Sequence, residues 1–123
     1  MSTDIQERSF RFACRVVRLH RMVARSRGTD KTLVNQLLRA GTSVGANLEE
    51  AKAAQSKADF VCKTRIALKE AREAHYWLRL LVESGILEDS RVSSLMEEAN
   101  ELVAILTTIV RRAASAASRP AEG

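Results

Sequence analysis

QLLRAGTSVGANLEEAKAAQSKADFVCKTRIALKEAREAHYWLRLL, residues 36–81, decides the fold of this 123-residue chain. It holds no proline and two glycines, so it predicts two helices joined by a short polar turn. The first is built at its centre from very small residues, Ala40, Gly41, Ser43, Gly45 and Ala46. Interior glycines cost a helix about 1 kcal/mol each relative to alanine, and the return for that cost is close approach by a neighbouring helix. The second helix is long, and it is apolar over more of its circumference than one bundle core needs. The pair therefore predicts a tightly packed helical protein whose remaining apolar surface is covered by another copy of itself.

Two further helices flank this segment. Projected at ~100° per residue, the stretch 4–25 gathers Ile5, Phe10, Phe12, Ala13, Val16, Val17, Leu19, His20, Val23 and Ala24 on one half of its circumference. A turn at Arg27-Gly28-Thr29-Asp30 follows, with Thr29 or Asp30 available to cap the next helix. The second helix is expected over 31–54, with a stripe of Leu33, Val34, Leu37, Leu38, Gly41, Val44, Leu48 and Ala51. Ser56-Lys57-Ala58-Asp59 resembles a capping box opening the third, 57–83, which Gly85 ends as a left-handed residue. The fourth, 89–114, carries the cleanest period: Val92, Leu95, Met96, Ala99, Leu102, Val103, Leu106, Ile109, Val110 and Ala113. Residues 115–123, SAASRPAEG, are expected to fray as a disordered tail. One all-α domain over 1–114 follows, an antiparallel up-down-up-down four-helix bundle.

Composition removes several classes of function. Aromatics are 4% of the chain, which argues against a stacking platform of the single-strand-binding kind. No apolar run approaches the ~18 residues of a transmembrane helix, and MSTDIQERSFRF lacks the apolar middle of a signal peptide. The expected location is the cytoplasm, where Cys14 and Cys62 are read as free, reduced and mostly buried thiols.

Reactive groups are few. Both histidines, His20 and His75, lack the Glu-x-x-His spacing of a di-iron bundle, since Arg72 stands where a glutamate is needed before His75. His20, on the apolar arc, is expected to be a hydrogen-bonded core or interface histidine. Glu49 and Glu50 diverge by ~100° on a helix and cannot share a substrate; they are expected to be solvated or paired with Arg or Lys. No phosphate-binding loop, nucleophile elbow or zinc-protease motif occurs. The chain is read as a non-enzyme with no metal and no cofactor. Glu70 and Lys63 lie within the third helix's apolar arc. They are either partly exposed on long stems or ion-paired between helices or between subunits, Glu70 with an arginine of the first or second helix.

The charge is uneven. Residues 1–41 hold nine Lys/Arg against Asp4, Glu7 and Asp30, a balance of +6, while residues 42–123 hold eleven basic and twelve acidic residues, −1. Arg8, Arg11, Arg15, Arg18 and Arg25 fall on one strip of the first helix, about 25 Å long. Guanidinium forks bind phosphate and keep their charge at any relevant pH. The strip is therefore the candidate nucleic-acid-binding surface, salt-sensitive and indifferent to sequence. Against it stands a solvated face, or one that pairs with Glu97, Glu98 and Glu101 of the fourth helix. The other function class open to the chain is a protein-interaction or scaffold module that does not touch nucleic acid.

Arg39, the run SVGAN at 43–47, Glu50-Ala51, Ser56, Asp59-Phe60, Lys63, the run ALKEA at 67–71 and Tyr76-Trp77-Leu78 form a string of spaced identities. On these the chain resembles the four-helix-bundle proteins encoded in intervening sequences of bacterial 23S rRNA genes. The resemblance implies a compact antiparallel bundle assembling as a homopentamer. It also implies kinship with the accessory variability protein of diversity-generating retroelements, a pentameric bundle that binds nucleic acid and its reverse transcriptase through a basic surface. This chain is only moderately basic, so the interaction so implied is weaker and nonspecific. The arginine strip lies outside the matching segment and takes no residue role from the resemblance.

Overall fold

The computed structural model describes residues 5–26, 28 and 31–118. Four helices follow one another: α1 (Ile5–Ala24), α2 (Thr32–Lys52), α3 (Lys57–Glu83) and α4 (Asp89–Ser118). Each packs against its neighbours in sequence, and α4 closes the ring on α1, while no diagonal pair is in contact among the described residues. The links run antiparallel at two of the four seams: Arg8 meets Glu98 and Arg15 meets Ser94, while Glu50 meets Lys63 and Arg39 meets Glu70. The bundle is therefore all-α with up-down-up-down topology.

Local chemistry explains where the helices stop. Ser56 caps α3 by accepting a bond from the Asp59 amide at 3.0 Å. At the other end Gly85 takes φ +82°, the Ile86 amide donates to the Leu81 carbonyl, and the Gly85 amide donates to Val82. This double bond pattern is a Schellman motif, which only a residue at ease with positive φ closes cheaply. At α2 the residue before the helix is Lys31, which makes no side-chain cap bond; Thr29 and Asp30, the expected caps, lie outside the described residues. The alanine-rich stretch past Ala114 stays helical to Ser118, where the pattern places a frayed tail. Alanine is the best helix former and no proline intervenes before Pro120. Residues 119–123 lie outside the described residues.

The core is one cluster drawn from all four helices, with Phe12, Val16, Val34, Leu37, Leu78, Val92, Leu102 and Leu106 fully buried. Each large aliphatic or aromatic side chain so placed contributes about 1.5–3 kcal/mol relative to an exposed one. α1 departs from its apolar arc. Phe10 is 67% exposed and Val17 also faces outward, while Ser9 is fully buried. Ser9 can be buried because its hydroxyl donates to the Gln6 carbonyl at 3.0 Å. Thr64 on α3 is fully buried on the same terms, bonding the Phe60 carbonyl at 2.7 Å.

The small residues of α2 meet α1. A Cβ added at Gly41 would lie 2.8 and 2.9 Å from the two methyls of Val16, and 3.2 Å from its Cβ. One added at Gly45 would lie 3.5 Å from the Ser9 carbonyl oxygen, an ordinary contact. Valine is stiff at χ1, so it cannot swing aside. The hydroxyls of Thr42 and Ser43 fold back onto the carbonyls of Leu38 and Arg39, which keeps the polar side of this helix satisfied. His20 adds a hydrogen bond across the same seam, its Nε2 lying 2.7 Å from the Asn35 Oδ1.

Polar ties hold α2 to α3. Glu70, 8% exposed, accepts from Arg39 Nη1 at 3.2 Å on both oxygens, and Arg39 Nη2 bonds Glu73, which also accepts from the Trp77 indole at 3.1 Å. Glu70 thus takes its arginine from the second helix of its own chain. Lys63 pairs with Glu50 at 2.8 Å. The bond from Arg39 holds the Glu73 carboxyl below the usual carboxylate range. Among the described residues no buried side-chain nitrogen or oxygen lacks a partner.

Two outcomes follow. Gly41→Ala should lower stability by about 1 kcal/mol, because overpacking against Val16 outweighs the ~1 kcal/mol gained in helix propensity, and Val16→Ala in the same chain should recover it. Gly45→Ala should be neutral or stabilising, and urea unfolding of the three variants checks the order. Arg39→Ala should cost about 1–2 kcal/mol at neutral pH, less than a fully buried pair because Arg39 is 47% exposed. Glu73's folded pKa lies below its unfolded one, so its share of that tie is present above the ordinary carboxylate pKa and is lost as pH falls through the lowered value. The stabilities of wild type and Arg39→Ala should therefore draw together as pH falls from the ordinary carboxylate pKa of about 4 through the lowered one, as read by unfolding at several pH values.

Candidate nucleic-acid interface

α1 turns Phe12, Val16, Leu19 and Val23 into the core, and its arginines project from the other sides. The structure divides the five arginines of the strip by what they touch. Arg8 is half-buried and grips Glu98 of α4 with two bonds, Nε at 3.0 Å and Nη2 at 2.7 Å. Those bonds raise its pKa further above the ordinary arginine value, and its fork is spent on closing α1 against α4. Arg11 pairs with Glu7 one turn back at 2.5 Å, both being exposed. Such a pair is worth a few tenths of a kcal/mol, about 0.3–0.5, and yields readily to a stronger anion. Arg15 donates to the Ser94 hydroxyl at 2.9 Å, a neutral partner that leaves its charge uncompensated.

Arg18 and Arg25 are exposed and, together with Arg21 and Met22, line a surface cleft of about 300 Å³. Arg21 stands outside the five-residue strip, although the i, i+3, i+7 spacing of 18, 21 and 25 puts it on their face. Arg91 comes from the first turn of α4, and its Nη1 lies 3.1 Å from the Met22 sulfur. No periodicity within α1 could reveal Arg91; the antiparallel packing of α4 delivers it. Among the described residues, Arg18, Arg21, Arg25 and Arg91 have no carboxylate within ion-pair distance. Four uncompensated guanidiniums around one methionine form a concentrated positive field at the end of the bundle where α1 finishes and α4 begins.

A second basic row, Arg65, Arg72 and Arg79, is exposed along the outer edge of α3. Its members stand seven residues apart, about 10 Å along the axis, and come from a single helix, so they do not converge. Three exposed apolar features remain. Val61, Cys62 and Ile66 of α3 line a groove of about 600 Å³ with Ala114 of α4. Phe10 and Val17 stand out from α1, and Tyr76 from α3, where its ring meets Trp77 edge-on at 5.2 Å. Cys62 is exposed, where the sequence pattern expects burial, because its position points away from the core side of α3 marked by Ala67, Ala71 and Ala74. Cys14 is half-buried, and both thiols are free.

Among the described residues no three metal-ligating side chains come together, and no helix is long and apolar enough to cross a membrane.

Comparison with known proteins bears on this arrangement. The chain resembles a protein of unknown function from the S23 ribosomal protein family of Bacteroides thetaiotaomicron VPI-5482, whose crystal structure is known at 1.70 Å. The two share 37% identity and a TM-score of 0.82, over 87% of this chain and 98% of that one. No curated protein matches. The family model of the 23S rRNA-intervening sequence protein matches residues 1–108. The chain belongs to the 23S rRNA-intervening sequence protein family.

Proposed function

We propose that the protein is a non-enzymatic, cytoplasmic, homo-oligomeric bundle that binds RNA or DNA through phosphates, with little regard for sequence. The observation that carries this is the convergence of Arg18, Arg21, Arg25 and Arg91 from two helices, none within ion-pair distance of a carboxylate among the described residues. Arg11 and Arg15 extend the contact along α1, and Arg8 supports it by fastening α1 to α4. Phosphate neutralisation releases counterions, so affinity falls steeply with salt. Each subunit brings only a few such contacts; several copies pooling their arginines reach a useful affinity through effective concentration. The exposed Phe10 and the groove over Val61 and Ile66 supply apolar area for that assembly, and the resemblance to intervening-sequence proteins implies five copies.

The same apolar surfaces favour a second reading, a scaffold that docks another protein, such as a reverse transcriptase, without touching nucleic acid. Fluorescence anisotropy with a labelled RNA, titrated between about 50 and 200 mM salt, separates the two. The wild type should lose affinity steeply with salt, and Arg18→Glu/Arg25→Glu should weaken binding about tenfold or more at the lower salt. Arg65→Glu/Arg72→Glu should change it much less. Equal binding by wild type and the α1 variant, or none by either at low salt, would leave the scaffold. Light scattering on the eluting protein tests the assembly: a species of several subunits is expected, and a clean 13.6 kDa monomer contradicts it.

A further inference from the structure

Met22, 38% exposed, is the wall between two depressions. One is the cationic cleft of Arg18, Arg21 and Arg25. The other, about 260 Å³, is floored by Val23, Ile86 and Leu87 and rimmed by Ser26, Glu88 and Arg91. The two differ in chemistry. The first sets three guanidiniums around the Met22 side chain, with no acidic group in its lining. The second has a small apolar floor, Ile86 beside the buried Val23 and Leu87, inside a larger polar rim of a hydroxyl, a carboxylate and a guanidinium. The Arg91 guanidinium touches the Met22 sulfur and so sits at the ridge between them.

We infer that the paired depressions are one seat for a single unpaired nucleotide, its phosphate among Arg18, Arg21 and Arg25 and its base over Ile86 and Leu87. This rests on the nucleic-acid reading above and adds to it a preference for single strands. A phosphate satisfies the first depression, where guanidinium forks match its oxygens. It fits the second less well, because Glu88 stands there beside Arg91 and repels anions. A base fits there better: its face covers the floor, and its ring N–H and amino groups donate to Glu88 while the Ser26 hydroxyl takes either role. Arg91 can lie flat on the base, as arginine does on planar π systems. In a duplex the faces are stacked and the pairing edges are occupied, so only a nucleotide free to splay out fills both halves. The seat dispenses with an aromatic platform, which the 4% aromatic content makes scarce: methionine, isoleucine and arginine do that work at one position.

The test is anisotropy at one low salt concentration with a single-stranded RNA and a blunt RNA duplex of equal phosphate number. The proteins are wild type, Ile86→Asn, Glu88→Gln and Arg18→Glu/Arg25→Glu, each checked for unchanged helicity and melting. Wild type should prefer the single strand about tenfold. Ile86→Asn should erase that preference while holding duplex binding steady, Glu88→Gln should narrow it by lifting the charge that repels duplex phosphates, and the arginine variant should weaken both ligands alike. Glu88 is exposed, so its replacement keeps the test open if Ile86→Asn does not fold. Equal binding of both RNAs by wild type, or a single-strand preference that survives both seat substitutions, overturns the seat and leaves the phosphate reading standing. No binding of either RNA by wild type overturns both.

Discussion

The contact between Gly41 and Val16 is the constraint on which the rest of the bundle depends. A hydrogen in place of a methyl lets α1 lie so close to α2 that an added Cβ would sit 2.8 Å from a valine methyl. That approach puts Ser9 against Gly45 and fixes which side of α1 faces inward. With Val16, Phe12, Leu19 and Val23 committed to the core, the arginines have only the flank toward α4 and the outer surface left. The flank closes through Arg8 and Glu98, and the outer surface keeps its charge. A backbone spacing set by one glycine thus decides which arginines build the fold and which stay available.

Pairing, rather than mere presence, separates those two groups. Arg39 and Arg8 have forks filled by carboxylates, Glu70 and Glu73 for the first and Glu98 for the second, and both have pKa values raised by these bonds. Removing either leaves a partly desolvated carboxylate behind, so their role is cohesion. Among the described residues Arg18, Arg21, Arg25 and Arg91 have no such partner, and mutual repulsion among them costs some stability. A protein keeps such a cluster at low cost when an anion neutralises it. Three of the nine basic residues of the first third of the chain gather here, at the junction of α1 and α4, where Arg91 joins them.

Much of this was legible in the sequence. The four helices, the serine cap at Ser56, the left-handed Gly85 and the close approach over Gly41 all follow from local pattern, because each depends on residues within one or two turns. For Glu70 the sequence leaves two readings, partial exposure or an ion pair, and the structure selects the pair with Arg39. What escaped needs three dimensions. A helical projection finds an apolar arc but not its buried part, so it places Phe10 and Val17 inside and misses Ser9, whose burial depends on a backbone bond and on the glycine opposite. The arginine strip is likewise a one-helix projection: it counts Arg8, which α4 neutralises, and omits Arg91, which α4 supplies. The helical continuation past Ala114 belongs to a different kind of miss, a polar composition outweighed by alanine propensity.

The most direct measurement is arginine-selective chemical labelling, read residue by residue by mass spectrometry with and without bound single-stranded RNA. Protection by RNA at Arg18, Arg21, Arg25 and Arg91, with Arg65, Arg72 and Arg79 labelled equally in both states, is the expected result. Unchanged labelling at the four α1–α4 arginines, or protection centred on α3 instead, would contradict the account.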